Sequence, residues 1–182
     1  MSTRNLVVVL GDQLDPESAV FDGHDPARDL VWMAELPQEA GHVWSHKARI
    51  ALFLDGELGR KRPDLAHQDS TGAAWSERGC VWIDPAQPEV VQYNLALAGE
   101  LARAGVDEIQ FDYVRFPTNG WEGDWQGSLE QTAHRRRDVI SGFLAAARDT
   151  LVPYGVKISA DLYGIMAWGK MEDLALTGQH VP

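Results

Sequence analysis

Five short runs rich in β-branched, aromatic and aliphatic residues punctuate the chain: LVVVL (6–10), DLVWMAEL (29–36), RIALFL (49–54), DEIQFDYVRF (107–116) and VKISADLYG (156–164). Runs of this length and composition predict β-strands. Two of them alternate. In DEIQFDYVRF, Ile109, Phe111 and Tyr113 point one way while Glu108, Gln110 and Asp112 point the other, and in VKISADLYG, Lys157, Ser159 and Asp161 oppose Val156, Ile158 and Ala160. Each strand therefore carries an apolar back, packed by Phe111 and Tyr113 in the first case, and a polar front. The first of these strands should end at RFP, because Pro117 cannot donate to a ladder.

Between the later runs the period changes to that of helices. PEVVQYNLALAGELARAG opens with Pro88 in the first turn beside Glu89, closes with Arg103 before Gly105, and shows an apolar stripe of Val91, Leu95, Ala98 and Leu101 or Ala102. A second helix starts near Ser128, where Ser128 and Gln131 match a capping box. It runs through Val139, Ile140, Phe143, Leu144, Ala147 and Leu151 to a stop around Pro153–Gly155.

Strand, helix, strand, helix, strand from about 49 to 164 is the pattern of right-handed parallel βαβ units. The fold class expected is α/β, a parallel sheet of about five strands with flanking helices, resembling part of a (β/α)8 barrel. Functional groups in such sheets gather at the carboxyl ends of the strands. Those ends hold Asp55, Asp112 and Asp161.

Composition narrows the partners. At 182 residues with 45% hydrophobic content the chain can bury a sizeable core, and 1–182 reads as one α/β domain. A net charge of -11 argues against a nucleic-acid partner, since phosphate binding rests on clustered Lys and Arg. The single cysteine, Cys80, excludes an intrachain disulfide, and the opening apolar run, Leu6–Leu10, is too short for a secretory or membrane segment, so a cytoplasmic location and no membrane partner are expected. The six histidines show no ligand spacing on a common helix face, so no metal and no cofactor are expected, and His134–Arg137 reads as a solvated helix face.

The remaining chemistry lies in the carboxylates. Two carboxyl groups across a cleft can divide into an acid and an ionised base or nucleophile, which is what glycosidic cleavage requires. Asp112 and Asp161, on the polar fronts of two strands, are the candidates. Arg115 is expected either to turn back as a clamp for Asp112 or a substrate oxygen, or to form a structural ion pair with Asp112. Trp121, Trp125 and Trp168 fall in loops around the predicted cleft and are candidates for stacking on sugar rings, against the alternative of plugging a core beneath the loop.

Taken together, ARIALFLDGELGRKRPDLAHQD, VWIDPAQPEVVQYNLALAGELARAGVDEIQFDYVRFPTNG and VKISADLYGIMAWGKMEDLALTGQ resemble the bacterial family described as "putative glycosyl hydrolase domain", a (β/α)8-barrel family, over roughly residues 48–182. The resemblance implies that Asp112 stands at the fourth-strand position of a nucleophile and Asp161 at the fifth-strand position of an acid. It also makes Arg49, Asp55, Tyr113 and Arg115 substrate-binding candidates and implies a carbohydrate substrate. RNLVVVLGDQLD, FDGHDPARDLVWMAEL and HVWSHKARIALFL resemble instead the start of the bacterial cryptochrome/photolyase-related family, whose N-terminal domain is an open parallel α/β sheet. The two resemblances meet around KARIALFL, so the chain reads as a join: a photolyase-like βα segment over 1–50 and a partial barrel over 51–182. The photolyase resemblance stops before the flavin-binding helical domain, which implies no light-driven repair. A complete barrel takes about 250 residues, so open sheet edges and self-association through them are expected. The alternative function is a non-catalytic α/β domain or carbohydrate-binding remnant.

Overall fold

A computed structural model describes residues 6–10, 46–69, 71–77, 79–118 and 128–180 of the protein, with backbone only at 6–10 and His46. In chain order the elements are β1 (Leu6–Leu10), β2 (His46–Ala51), α1 (Gly56–Lys61), β3 (Ser76–Glu77), β4 (Cys80–Val81), α2 (Pro88–Arg103), β5 (Glu108–Asp112), α3 (Leu129–Leu151), β6 (Lys157–Ala160) and α4 (Met171–Thr177). The predicted strand at 29–36, with Trp121 and Trp125, lies outside the described residues.

Among the described residues the main sheet has four strands in the order β1-β2-β5-β6, every pair parallel. Neighbours in the sheet follow one another in the chain, with the short β3–β4 antiparallel pair inserted between β2 and β5. A doubly wound sheet reverses its strand order at a switch point, whereas a barrel adds each parallel strand beside the last. Among the described strands the order runs without a reversal, as in a barrel. Among the described residues β1 and β6 are the edge strands.

The predicted alternation of β5 is realised from Glu108 to Asp112, with Ile109 and Phe111 fully buried and Glu108, Gln110 and Asp112 half-buried. Ala48 and Ile50 of β2 are buried in the same core, which α2 and α3 complete. Phe143 of α3 meets Phe53 and Phe111 edge-on, with centroids 5.4 and 5.5 Å apart. This geometry suits the ring quadrupoles and contributes beyond the area buried.

The predicted face of α3 is realised, with Ile140, Phe143, Ala147 and Leu151 buried and Val139 and Leu144 packed against the core, whereas that of α2 is realised only in part. In α2 the expected Ala98, Leu101 and Ala102 are buried, but in the first turns the buried row is Val90, Tyr93, Asn94 and Leu97, one position round from Val91 and Leu95, which flank it half-buried. Asn94 enters the core because its side-chain amide donates to the Val90 carbonyl at 3.0 Å, which satisfies the buried polar group locally. The Ser128–Gln131 capping box forms in both directions, and α3 gives way to a 3-10 turn that Gly155 terminates at φ 69°. His134 and Arg135 are exposed, but Arg136 corrects the reading of a fully solvated face. It is buried, with Nη1 donating to the carbonyls of Ala175 and Leu176 at 3.1 and 2.9 Å and its guanidinium 4.6 Å from the Phe116 ring centroid. Arg136 thus fastens the end of α4 to α3.

The strand β5 stops earlier than Pro117 predicts. Tyr113 takes φ 52°, the left-handed region that non-glycine residues rarely occupy, and the ladder ends at Asp112. Tyr113 therefore leaves the apolar row that Ile109 and Phe111 define, and the chain turns so that Arg115 N–H donates to the Tyr113 carbonyl at 2.9 Å.

Candidate active site

The polar fronts of β2, β5 and β6 form one face laced by side chains. Lys47 Nζ lies 2.8 Å from Glu108 Oε1, which also accepts from the Ser159 hydroxyl at 2.6 Å. The Lys47 ammonium and the Ser159 hydroxyl hold the Glu108 carboxyl below its ordinary value. One step towards the strand ends, Arg49 Nη2 donates to Asp112 Oδ2, and Gln110 Nε2 donates to Asp161 Oδ1 at 2.5 Å. The register pairs Phe111 with Ala160, so its continuation sets Asp112 across from Asp161, and Asp161 N–H still donates to the Phe111 carbonyl at 2.9 Å.

Beyond these ends opens a cavity of about 350 Å³ whose wall includes Asp112, Asp161, Tyr113 and Arg115. Glu77 of β3, Tyr163 and Gln179 share that wall. Four of the predicted site residues are thus brought together. Asp112 is the more enclosed carboxylate, gripped by Arg49 and by the Tyr113 N–H at 2.7 Å, whereas Asp161 is exposed.

The other candidates stand elsewhere. Arg49 reaches the cavity only through Asp112. Asp55 is buried and caps α1, accepting from the N–H groups of Glu57 and Leu58 at 3.0 and 2.9 Å, as an N-cap aspartate does. Trp168 is 73% exposed in a 3-10 turn and is not part of the cavity wall, nor does it plug a core. Arg115 forms neither of the expected links to Asp112, whose cationic partner is Arg49. Its guanidinium is buried instead, 4.5 Å from the ring centroids of both Trp82 and Tyr163 and 5.8 Å from that of Tyr113. Burial pushes it below the ordinary arginine value, with Tyr163, Glu77 and Tyr113 acting in the opposite direction.

Sequence reasoning did not single out Trp82, Glu77, Tyr163 or Gln179. Gln179 is 1% exposed, and its side chain joins three backbone groups of the site. Oε1 accepts from Tyr163 N–H at 3.0 Å, and Nε2 donates to the carbonyls of Asp161 and Val114 at 3.1 and 3.3 Å. It ties the segment after β6 to the segment after β5. No local pattern marks it; only its place after Gly178, in a run past the last apolar helix face, distinguishes it from a surface glutamine.

Among the described residues no three or more His, Cys, Asp or Glu side chains converge to hold a metal ion. No helix among them is long and apolar enough to cross a membrane.

A sequentially wound parallel sheet with aspartates at adjacent carboxyl ends, opening on a shared polar cavity, defines an α/β protein of barrel-like build. The family described as "putative glycosyl hydrolase domain" matches residues 36–182, and the chain belongs to it. Residues 7–56 match the family of deoxyribodipyrimidine photo-lyase-related proteins, so the two matches overlap across β2. A (6-4) photolyase of Agrobacterium fabrum is 46% identical over 49 residues, 27% of this chain and 10% of the photolyase, so the chain spans about a tenth of that relative. Among solved structures, a hypothetical protein from Ruminiclostridium thermocellum superposes with a TM-score of 0.58 and 26% identity over 90% of this chain and 85% of that one. An alpha-galactosidase from Thermus thermophilus gives a TM-score of 0.45 at 20% identity over 64% of this chain and 23% of that one. The glycoside hydrolase domain of PelA from Pseudomonas aeruginosa gives 0.47 at 13% identity over 89% and 60%.

Proposed function

We propose that the chain is a glycoside hydrolase-type domain that cleaves glycosidic bonds with Asp112 as nucleophile or base and Asp161 as acid. Membership of the glycosyl hydrolase family supports the class of reaction. The observation that carries the residue assignment is that both aspartates close adjacent parallel strands and share one cavity wall. Arg49 presents Asp112 as an oriented anion, the form a nucleophile or base needs. Asp161 has the freer exchange with solvent that an acid needs for reprotonation between turnovers. Carbohydrate is the substrate class, with Tyr163, 40% exposed at the cavity, offering a ring face for stacking.

The test is hydrolysis of a panel of aryl glycosides and oligosaccharides by the wild type beside Asp112→Asn and Asp161→Asn. Each variant should lose on the order of 10² to 10⁴ in turnover, the usual contribution of a positioned acid or base, with its circular dichroism unchanged. Unchanged turnover in Asp112→Asn refutes the assignment. A folded wild type that binds oligosaccharides and cleaves none supports a carbohydrate-binding domain instead.

A further inference from the structure

Arg115 is a buried cation at the cavity wall, and Glu77 on the same wall acts on it only at longer range than an ion pair. It is 4% exposed, and among the described residues no carboxylate lies within ion-pair distance of it, Asp112 being paired to Arg49. Aromatic rings cover it, and Trp82 is itself fixed by an edge contact with Tyr113 at 5.9 Å. Such contacts engage the flat face of a guanidinium and leave its in-plane N–H donors free. A guanidinium carries five of these donors. Nη1 donates to the Phe116 carbonyl at 3.0 Å. None of the Arg115 nitrogens is a sealed donor lacking a partner, and the residue lines the cavity.

We infer that Arg115 is the anion-recognising group of this cavity and that it selects a sugar bearing a carboxylate, a uronic acid, by bidentate pairing with that group. The inference rests on the reading of the cavity as a sugar site and goes on to name the kind of sugar. The planar guanidinium fork matches a planar carboxylate in geometry. Glu77 and Asp161 share the same wall, so a phosphate dianion would meet more repulsion there than a carboxylate, whose single charge can be confined to the Arg115 end. The ring hydroxyls are then left to face the aspartates. The cost of burying the guanidinium, visible in its lowered pKa, is offset when such an anion is bound.

The experiment is a calorimetric titration of the full chain at neutral pH with D-glucuronate and D-galacturonate, with the neutral D-glucose and D-galactose, and with acetate as the bare carboxylate. The uronates should bind about tenfold or more tighter than their neutral parents, the factor that one charge-assisted hydrogen-bonded pair supplies. They should also exceed acetate. Arg115→Gln should erase the preference, and Arg115→Lys, which keeps the charge without the fork, should retain only part of it. Equal binding of acidic and neutral sugars, no uronate binding, or a preference that survives in Arg115→Gln would overturn the inference. Binding of acetate as tight as that of the uronates would overturn the sugar assignment. The wild-type comparison stands even if Arg115→Gln does not fold. The outcome is also separable from the glycosidase reading: unchanged turnover in Asp112→Asn refutes that reading without touching the uronate preference, and a neutral-sugar preference refutes this one alone.

Discussion

Gln179→Leu tests whether the cavity wall is held by one buried amide. Leucine keeps approximately the same bulk, so the perturbation is the loss of three hydrogen bonds, at 3.0, 3.1 and 3.3 Å, to backbone groups of Tyr163, Asp161 and Val114. A backbone group stranded in the interior costs about 1–3 kcal/mol. The Val114 bond is long and the other two are only partly buried, which sets each at the low end and the total near ~3 kcal/mol. For a chain of this size each kcal/mol moves the melting point by roughly 2–4 °C, so a drop of about 6–12 °C is expected in thermal unfolding followed by circular dichroism. Gln179→Glu keeps the acceptor for Tyr163 N–H but puts a carboxylate against two carbonyls, and it should be destabilised at least as much. Turnover or sugar binding should fall further than the melting point alone explains, because the Asp161 segment is no longer tied to that of Val114. A Leu variant melting within about 1 °C of wild type would refute the reasoning, since the three groups would then be finding water.

Gly178 precedes that amide at φ 75°, and a Cβ there would lie 2.7 Å from the Arg136 carbonyl oxygen. Gly178→Ala should therefore lose about 2 kcal/mol or more in urea denaturation, the left-handed penalty plus the clash, and a loss under about 0.5 kcal/mol would show that the α3–α4 contact yields easily. Glu108 supplies the pH dependence. Its folded value is depressed, so its contribution is fully present above its unfolded value, near 4.5, and is lost as pH falls through the folded value. The urea midpoints of wild type and Glu108→Gln should differ at pH 7 and converge on acidification below that range; a gap that stays constant to pH 3 would remove the Lys47–Glu108–Ser159 link from the stability of the sheet.

What could be read in advance follows the range of the interactions involved. The alternation of Glu108 to Asp112 and of Lys157 to Asp161 is a local property of extended backbone, and both strands form with their polar rows on one face. The Ser128–Gln131 cap is equally local and forms as predicted. The first half of the α2 face was legible only to within one position, because Asn94 satisfies itself on Val90 and becomes a core residue that polarity alone would place outside, while Ala98, Leu101 and Ala102 are buried as predicted. Arg136 left the solvated face for a comparable reason: the free carbonyls at the end of α4, some forty residues away, accept its donors. Asp112 pairs with Arg49 rather than Arg115 because the register brings β2 alongside β5, a fact of sheet order that spacing within one strand does not contain. Asp55, at a strand end like the other two aspartates, caps the helix that follows it.

Tyr113 shows how a single backbone choice separates the site from the fold. Had the chain remained extended to Pro117, Tyr113 would have joined Phe111 in the core and Arg115 would have followed on the same side. At φ 52° the strand instead breaks immediately after Asp112. The N–H of Tyr113 then turns onto the Asp112 carboxylate at 2.7 Å, its ring moves against Trp82, and Arg115 is delivered to the cavity wall. A left-handed non-glycine residue costs of order 1–2 kcal/mol and persists only where its surroundings over-determine it. Here those surroundings are the groups the proposed function uses: the oriented carboxylate on one side and the aromatic-covered guanidinium on the other. Relieving the strain with Tyr113→Gly would remove the conformational penalty along with the ring, and the loss of the ring contacts to Trp82 and Arg115 would be felt at the site rather than in the sheet.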